Sequence, residues 1–214
     1  MENAEQIRFR SEKELDERLQ GLLLVAEVLD AHLEKWFLSD GAALGAVRGG
    51  DFIPWDWDVE ITVMTEEARS KARAICKDLK SRGLVIDRKD LTRTNLKIKV
   101  NGFGTSYEIL GRYLKRGDIR ARLLKELPAR FFRQSEMATL RGHNFPVPSP
   151  VRDYLTVNYG DWETPRRSSN HEDYLESSVY VNRTSLRREL TAIVGKSKNL
   201  FRKAWPDLGR MGTD

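Results

Sequence analysis

Apolar residues recur at helical spacing early in the chain, at Leu15, Leu19, Leu22, Leu23, Ala26, Leu29, Leu33 and Trp36. Side chains three and four apart share one face of a helix, so this stretch predicts an amphipathic helix packed on a core. Ser11 and Glu14 precede it in the capping-box pattern, which satisfies amide donors at a helix start. The run WFLSDGAALGAV then predicts a strand near 36–39, a turn and a short helix over 41–48. FIPWDWDVEITV reads as a strand with Pro54 near its start, where proline is tolerated. Ile53, Trp55, Trp57, Val59 and Ile61 share one face of that strand and are read as core. Asp56, Asp58 and Glu60 share the other.

TEEARSKARAICKDLKSRG predicts a second long helix, with Thr65 as cap and Gly83 as stop. LVIDR continues as a strand. Leu96, Ile98 and Val100 alternate with Lys97 and Lys99, and Asn101-Gly102 predicts the turn of a hairpin that returns through TSYEIL. A strand pair is expected around Gly142. SPVRDYLTVNYG reads as a helix with Ser149 as N-cap, Pro150 in the first turn and Gly160 as stop. Residues 166–182 read as a polar linker, and 183–204 as a basic helix. Strands and helices mix without regular alternation, which predicts an α+β or mixed α/β domain.

Composition narrows the class. The 214 residues carry 37 Lys and Arg against 32 Asp and Glu, a formal charge of +5. A modest basic excess suits an anionic substrate, a nucleic acid or a membrane surface, and selects none of them. The single cysteine, Cys76, excludes an internal disulfide and reads as a small buried hydrophobe. The three histidines show no ligand spacing. No run approaches the length of a membrane span, and the N-terminus lacks the apolar stretch of a signal peptide. These features lead to the expectation of a cytoplasmic protein.

Three acids on one strand face need a reason, because like charges about 7 Å apart repel. A solvated edge is the plain explanation. The chemical one is a divalent cation: carboxylate oxygens suit Mg²⁺, which keeps coordination sites for substrate phosphates. Glycines at 41, 45, 49 and 50 let backbone approach a ligand, and Arg48 would grip a phosphate. Glu108 faces away from Tyr107 and Ile109, as a third metal ligand or as a base for an attacking hydroxyl. Lys97 and Lys99 are further candidates for phosphate contact.

SDGAALGAVRGGDFIPWDWDVEI resembles the signature block of the LicD family, which includes the fukutin-type transferases, and FPVPSPVRDYLTVNYGDWETP resembles the second block. The resemblance covers roughly residues 15 to 165. It implies a nucleotidyltransferase-like mixed sheet packed by helices, as a catalytic domain over 1–165 with a basic helical extension over 166–214. It also implies transfer of a phosphate-linked group, of the phosphocholine or polyol-phosphate type, from a CDP-activated donor to a glycan hydroxyl, with Mg²⁺ or Mn²⁺ as cofactor. Carried over by residue, Asp56 and Asp58 would hold the metal. Glu60 and Glu108 stand where the family has aspartates, and either would serve as base. Gly41, Gly45 and Arg48 would cradle donor phosphates. Ala42 replaces a small hydroxyl residue, and Trp57 replaces a common middle aspartate.

Other readings stay open on the residues alone. A metal-dependent glycosyltransferase would use the same acid pair on a nucleotide sugar. A nucleotidyltransferase would act on a small molecule, RNA or protein. A non-catalytic module would dock its basic tail on anionic lipid or nucleic acid. On the leading reading the acceptor is a saccharide, lipid-linked at the inner membrane face where the tail would make peripheral contact, and no specific nucleic acid partner is expected.

Overall fold

The structure, a computed structural model, describes residues 8–165 except 116 and 124. The expected basic extension therefore lies outside the described residues. Ser11 caps helix α1 (Glu12–His32) with a complete capping box, and Glu14 returns the bond to the Ser11 amide at 2.9 Å. Strand β1 (Trp36–Leu38) follows, then α2 (Asp40–Gly49), β2 (Asp58–Met64) and α3 (Thr65–Ser81). Next come β3 (Val85–Leu91), β4 (Leu96–Gly102), β5 (Thr105–Lys115), β6 (Ile119–Arg122) and β7 (Lys125–Pro128). A 3₁₀ turn (Ala129–Phe132), the hairpin β8 (Ser135–Leu140) and β9 (His143–Pro148), and helix α4 (Val151–Tyr159) close the described chain.

The main sheet runs β1-β2-β5-β4-β3, with β6 and β7 added beyond the end of β5. Among the described residues only β2 and β5 pair parallel, and the segment joining them contains α3 and the β3–β4 pair. This is the mixed sheet with packed helices that the alternating and helical patterns predicted. One sheet face is apolar: Val59, Ile61, Val63, Leu96, Ile98, Val100, Tyr107 and Ile109 are all fully buried. Helices α1 and α3 cover it. Their closeness shows at Gly21, where an added Cβ would lie 2.0 Å from the Tyr107 hydroxyl. That hydroxyl donates to the Arg18 carbonyl at 2.9 Å and ties α1 to the sheet.

Three local expectations are corrected. The strand begins at Asp58, because Pro54 and Trp55 form a turn in which the Asp56 amide donates to the Ile53 carbonyl at 3.0 Å. Trp57 consequently leaves the core and is 74% exposed. The hairpin turns at Phe103-Gly104, both at positive φ, rather than at Asn101-Gly102. That register sets Ile98 opposite Ile109, Val100 opposite Tyr107 and Lys99 opposite Glu108, so cross-strand packing outweighs the local turn signal. Pro150, not Ser149, occupies the N-cap position of α4. The Ser149 hydroxyl instead donates to Glu136 at 2.9 Å.

Candidate active site

The second face of the sheet is polar. Residues 58, 60, 62 and 64 of β2 and 106, 108, 110 and 112 of β5 point this way, in a register that sets Asp58 beside Ser106 and Glu60 beside Glu108. Lys97 and Lys99 of β4 join the same face through their pairing with β5. Helix α2 starts at its rim. Its Gly41 amide points at Glu60 Oε2, 3.5 Å away. A Cβ at position 41 would lie 2.2 Å from Asp56 Oδ2, so the carboxylate rests directly against this helix end and would have to turn aside for any side chain there. The N-terminal end of a helix carries partial positive charge and suits an anion.

Asp56 lies just before β2, and two arginines hold its backbone. Arg18, buried on α1, donates to the Asp56 carbonyl at 2.7 Å and to the Thr105 hydroxyl at 3.0 Å. Arg10 donates to the carbonyls of Asp56 and Trp57. Sequence reasoning missed both. The available signal was Arg18 itself, a cation on the apolar stripe between Leu15, Leu19 and Leu22. Desolvation lowers its pKa to about 10, still charged at neutral pH.

The acids strain one another. Burial, then the neighbouring Asp58 charge, raises the Asp56 pKa to about 6. Burial and Glu108 raise Asp58. Burial, Asp40 and Asp58 push Glu60 well up. Glu108 instead pairs with Lys97, Oε2 to Nζ 2.6 Å, and Lys99 reaches Asp87 at 3.6 Å. Among the described residues no three acidic, His or Cys side chains form a ready metal cage. The expected third ligand, Glu108, is thus turned toward Lys97. Mg²⁺ commonly takes only one or two protein carboxylates, with phosphates and water completing its shell. Asp56 and Asp58, close enough that the Asp58 charge raises the cost of ionising Asp56, fit that description.

Two predicted phosphate contacts are placed elsewhere. Arg48 stands in the last turn of α2, seven residues and about 10 Å along the helix from Gly41. Its Nη1 donates to the Trp162 carbonyl at 3.4 Å. Gly45 packs against the loop, where a Cβ would meet the Asp51 carbonyl at 2.5 Å. Neither is brought to the acids. A shallow, open cleft of about 410 Å³ is lined by Trp57, Asn101, Gly102, Gly104, Thr105 and Ser106. Trp57 and Ser106 are neighbours of Asp58 in the chain and across the ladder, and none of the four acids is in that lining.

A raised carboxyl pKa makes stability fall as pH rises. Between about pH 4 and 6 the unfolded Asp56 has lost a proton that the folded one keeps, so ionisation favours unfolding through that window. Two pKa units correspond to roughly 3 kcal/mol. In EDTA, Asp56→Asn is therefore expected to match the wild type near pH 4 and exceed it in stability at pH 7, with Mg²⁺ narrowing the gap. Thermal melts of both proteins across this range check it; a gap that does not change with pH would contradict the burial of the Asp56 carboxylate.

Comparisons with known proteins identify the family of this chain. The sequence model described as "LicD/FKTN/FKRP, nucleotidyltransferase domain" matches residues 34–150, more than half of the chain and the segment that contains the acids. The ribitol 5-phosphate transferases FKRP of mouse (Mus musculus) and human (Homo sapiens) are each 44% identical over 43 residues. That segment is 20% of this chain and 9% of each relative, so the match spans less than a tenth of those proteins. Among solved structures, ANT(2″)-Ia bound to adenylyl-2″-tobramycin is 12% identical with a TM-score of 0.46, over 87% of this chain and 96% of that one. A Thermotoga maritima protein described as a nucleotidyltransferase is 16% identical with a TM-score of 0.44, over 72% of this chain and 88% of that one. Overlaps this loose carry no argument about chemistry. Among the described residues no helix is long and apolar enough to cross a membrane.

Proposed function

Because the chain belongs to the LicD family, matched through its nucleotidyltransferase domain, we propose that it transfers a phosphate-linked group from a CDP-activated donor to a glycan hydroxyl, releasing CMP. The observation that carries this reading is the clustering of Asp56, Asp58 and Glu60 on the polar sheet face, with Asp56 and Glu60 brought up to Gly41 in the first turn of helix α2. The likeness to ribitol 5-phosphate transferases, short as it is, supports a polyol phosphate as the transferred group.

Asp56 and Asp58 would hold Mg²⁺, which when bound neutralises charge on the donor phosphates. The chain's own residues do the rest. Arg10 and Arg18 fix the backbone that carries the two aspartates. The Gly41 end of α2 offers its amide and partial positive charge to an anion. The cleft beside Trp57 leaves room for an acceptor next to Asp58. Glu108, held by Lys97, and Glu60, held at the α2 end, are the two groups within reach of an acceptor proton. Positioning supplies most of the rate in such transfers.

The test is a panel of CDP-linked donors with Mg²⁺ and glycan acceptors, read by CMP release and by mass of the product. A phosphodiester on the acceptor supports the reading. Donor α-phosphate found on the acceptor together with its nucleoside would make the protein a nucleotidyltransferase, and a glycosidic product from a nucleotide sugar would make it a glycosyltransferase.

A further inference from the structure

Three cations form a row at the edge of the polar face. The β6–β7 register sets Arg122 opposite Lys125. The β5–β6 ladder sets Tyr113 opposite Ala121, and one step further along it Arg112 comes beside Arg122. Like charges facing one another across strands are unfavourable. One carboxylate compensates them: Asp40 lies 2.7 Å from Lys125 Nζ and 3.7 Å from Arg112 Nη2. Arg112 is almost fully buried, yet its Nε and Nη1 have no hydrogen-bond partner among the described residues. Arg122 is half-buried, its Nε is equally unpartnered, and no carboxylate stands within ion-pair reach of it among those residues. Asp40, Glu60 and Glu108 influence it from further away, which places the guanidinium on the flank of the acids.

A buried guanidinium Nε–H without a partner is costly, so folding alone gives no reason to keep it. An arginine fork matches phosphate oxygens in geometry and charge. We propose that Arg122, with Arg112 and Lys125 behind it, binds a phosphate group of the substrate at the β5–β7 edge of the carboxylate site. This rests on the reading of that site as one for a phosphorylated donor. Arg122 makes the contact. Arg112 and Lys125 clamp Asp40 and keep the row cationic.

The probe is inorganic pyrophosphate, titrated calorimetrically into the full chain in Mg²⁺ and again in EDTA. Losing a charge-assisted contact is expected to weaken binding about tenfold or more in Arg122→Gln. Its melting temperature should stay level or rise, since no internal partner is lost. Lys71→Gln, on the exposed face of α3, removes the same charge elsewhere and should leave the affinity within about twofold. Arg122→Lys should recover part of the loss, and it carries the comparison if the glutamine variant fails to fold. Equal affinity in Arg122→Gln, an equal loss in Lys71→Gln, or no pyrophosphate binding to the wild type would each overturn the proposal. CMP release from CDP donors, measured separately, then reports whether the transferase reading survives.

Discussion

Asp58→Asn is expected to cut transfer by on the order of 10³-fold or more, with the fold intact. A group that meets charge directly in an active site is commonly worth that much. Asp58 opens β2, its carboxyl lies on the polar face beside Ser106, and it repels both Asp56 and Glu108. Asparagine keeps its shape and loses the charge that a cation needs. The same loss relieves repulsion in the metal-free protein, so the variant should melt no lower than the wild type. Product formation under saturating Mg²⁺, alongside a thermal melt, separates the two effects. Wild-type turnover in this variant would remove Asp58 from the mechanism, whatever the overall reaction is.

The largest stability effect is expected at Asp40. Its carboxylate receives Lys125 and Arg112, and Asn158 Nδ2 donates to it at 3.0 Å. Burial opposes its ionisation, but the two cations outweigh that and hold the carboxyl well below its usual range. Removing one partner of a buried ion pair typically costs 3 to 5 kcal/mol, roughly. Lys125 is partly exposed and can turn toward water, whereas Arg112 cannot, so the cost falls mainly on Arg112. Asp40 also sits at φ +47, a left-handed conformation that Asp and Asn tolerate better than Ala. Asp40→Ala should therefore lose more than Asp40→Asn. A drop of roughly 10 °C is expected for the alanine variant. Melting the two variants beside the wild type tests the order. If Asp40→Asn melted with the wild type, the ion cluster would not be holding β7 against α2.

Much of this architecture was legible beforehand. The Ser11–Glu14 capping box, the alternation at 96–100 and the turn at Gly142 are local signals, and each element formed where its signal stood; the second long helix formed too, but Met64 rather than Thr65 holds its N-cap position. The acids were legible for a similar reason: repelling charges beside an apolar run stand out without knowledge of the fold. Errors arose where distant residues decide. The strand was expected to begin before Asp56, but Arg10 and Arg18 take the carbonyls at 56 and 57 from another part of the chain. Together with the turn at Pro54 and Trp55, this leaves Trp57 exposed, against its hydrophobic character. Arg48 looked like a phosphate contact because it is near the glycines in sequence, yet helix α2 carries it toward Trp162.

By itself the sequence determined the helices, the alternating strands, the family signature and the candidate acids, because each depends on residues within a few positions of one another. Only tertiary structure decided that Glu60 faces Glu108, that Lys97 takes Glu108 away from a metal cage, and that Arg112, Arg122 and Lys125 line up around Asp40. Several of those pairings, Glu60 with Glu108 and Asp40 with Lys125 and Arg112, join residues dozens of positions apart. Register is set by which side chains pack and pair across the sheet, a property of the assembled core that no local window contains.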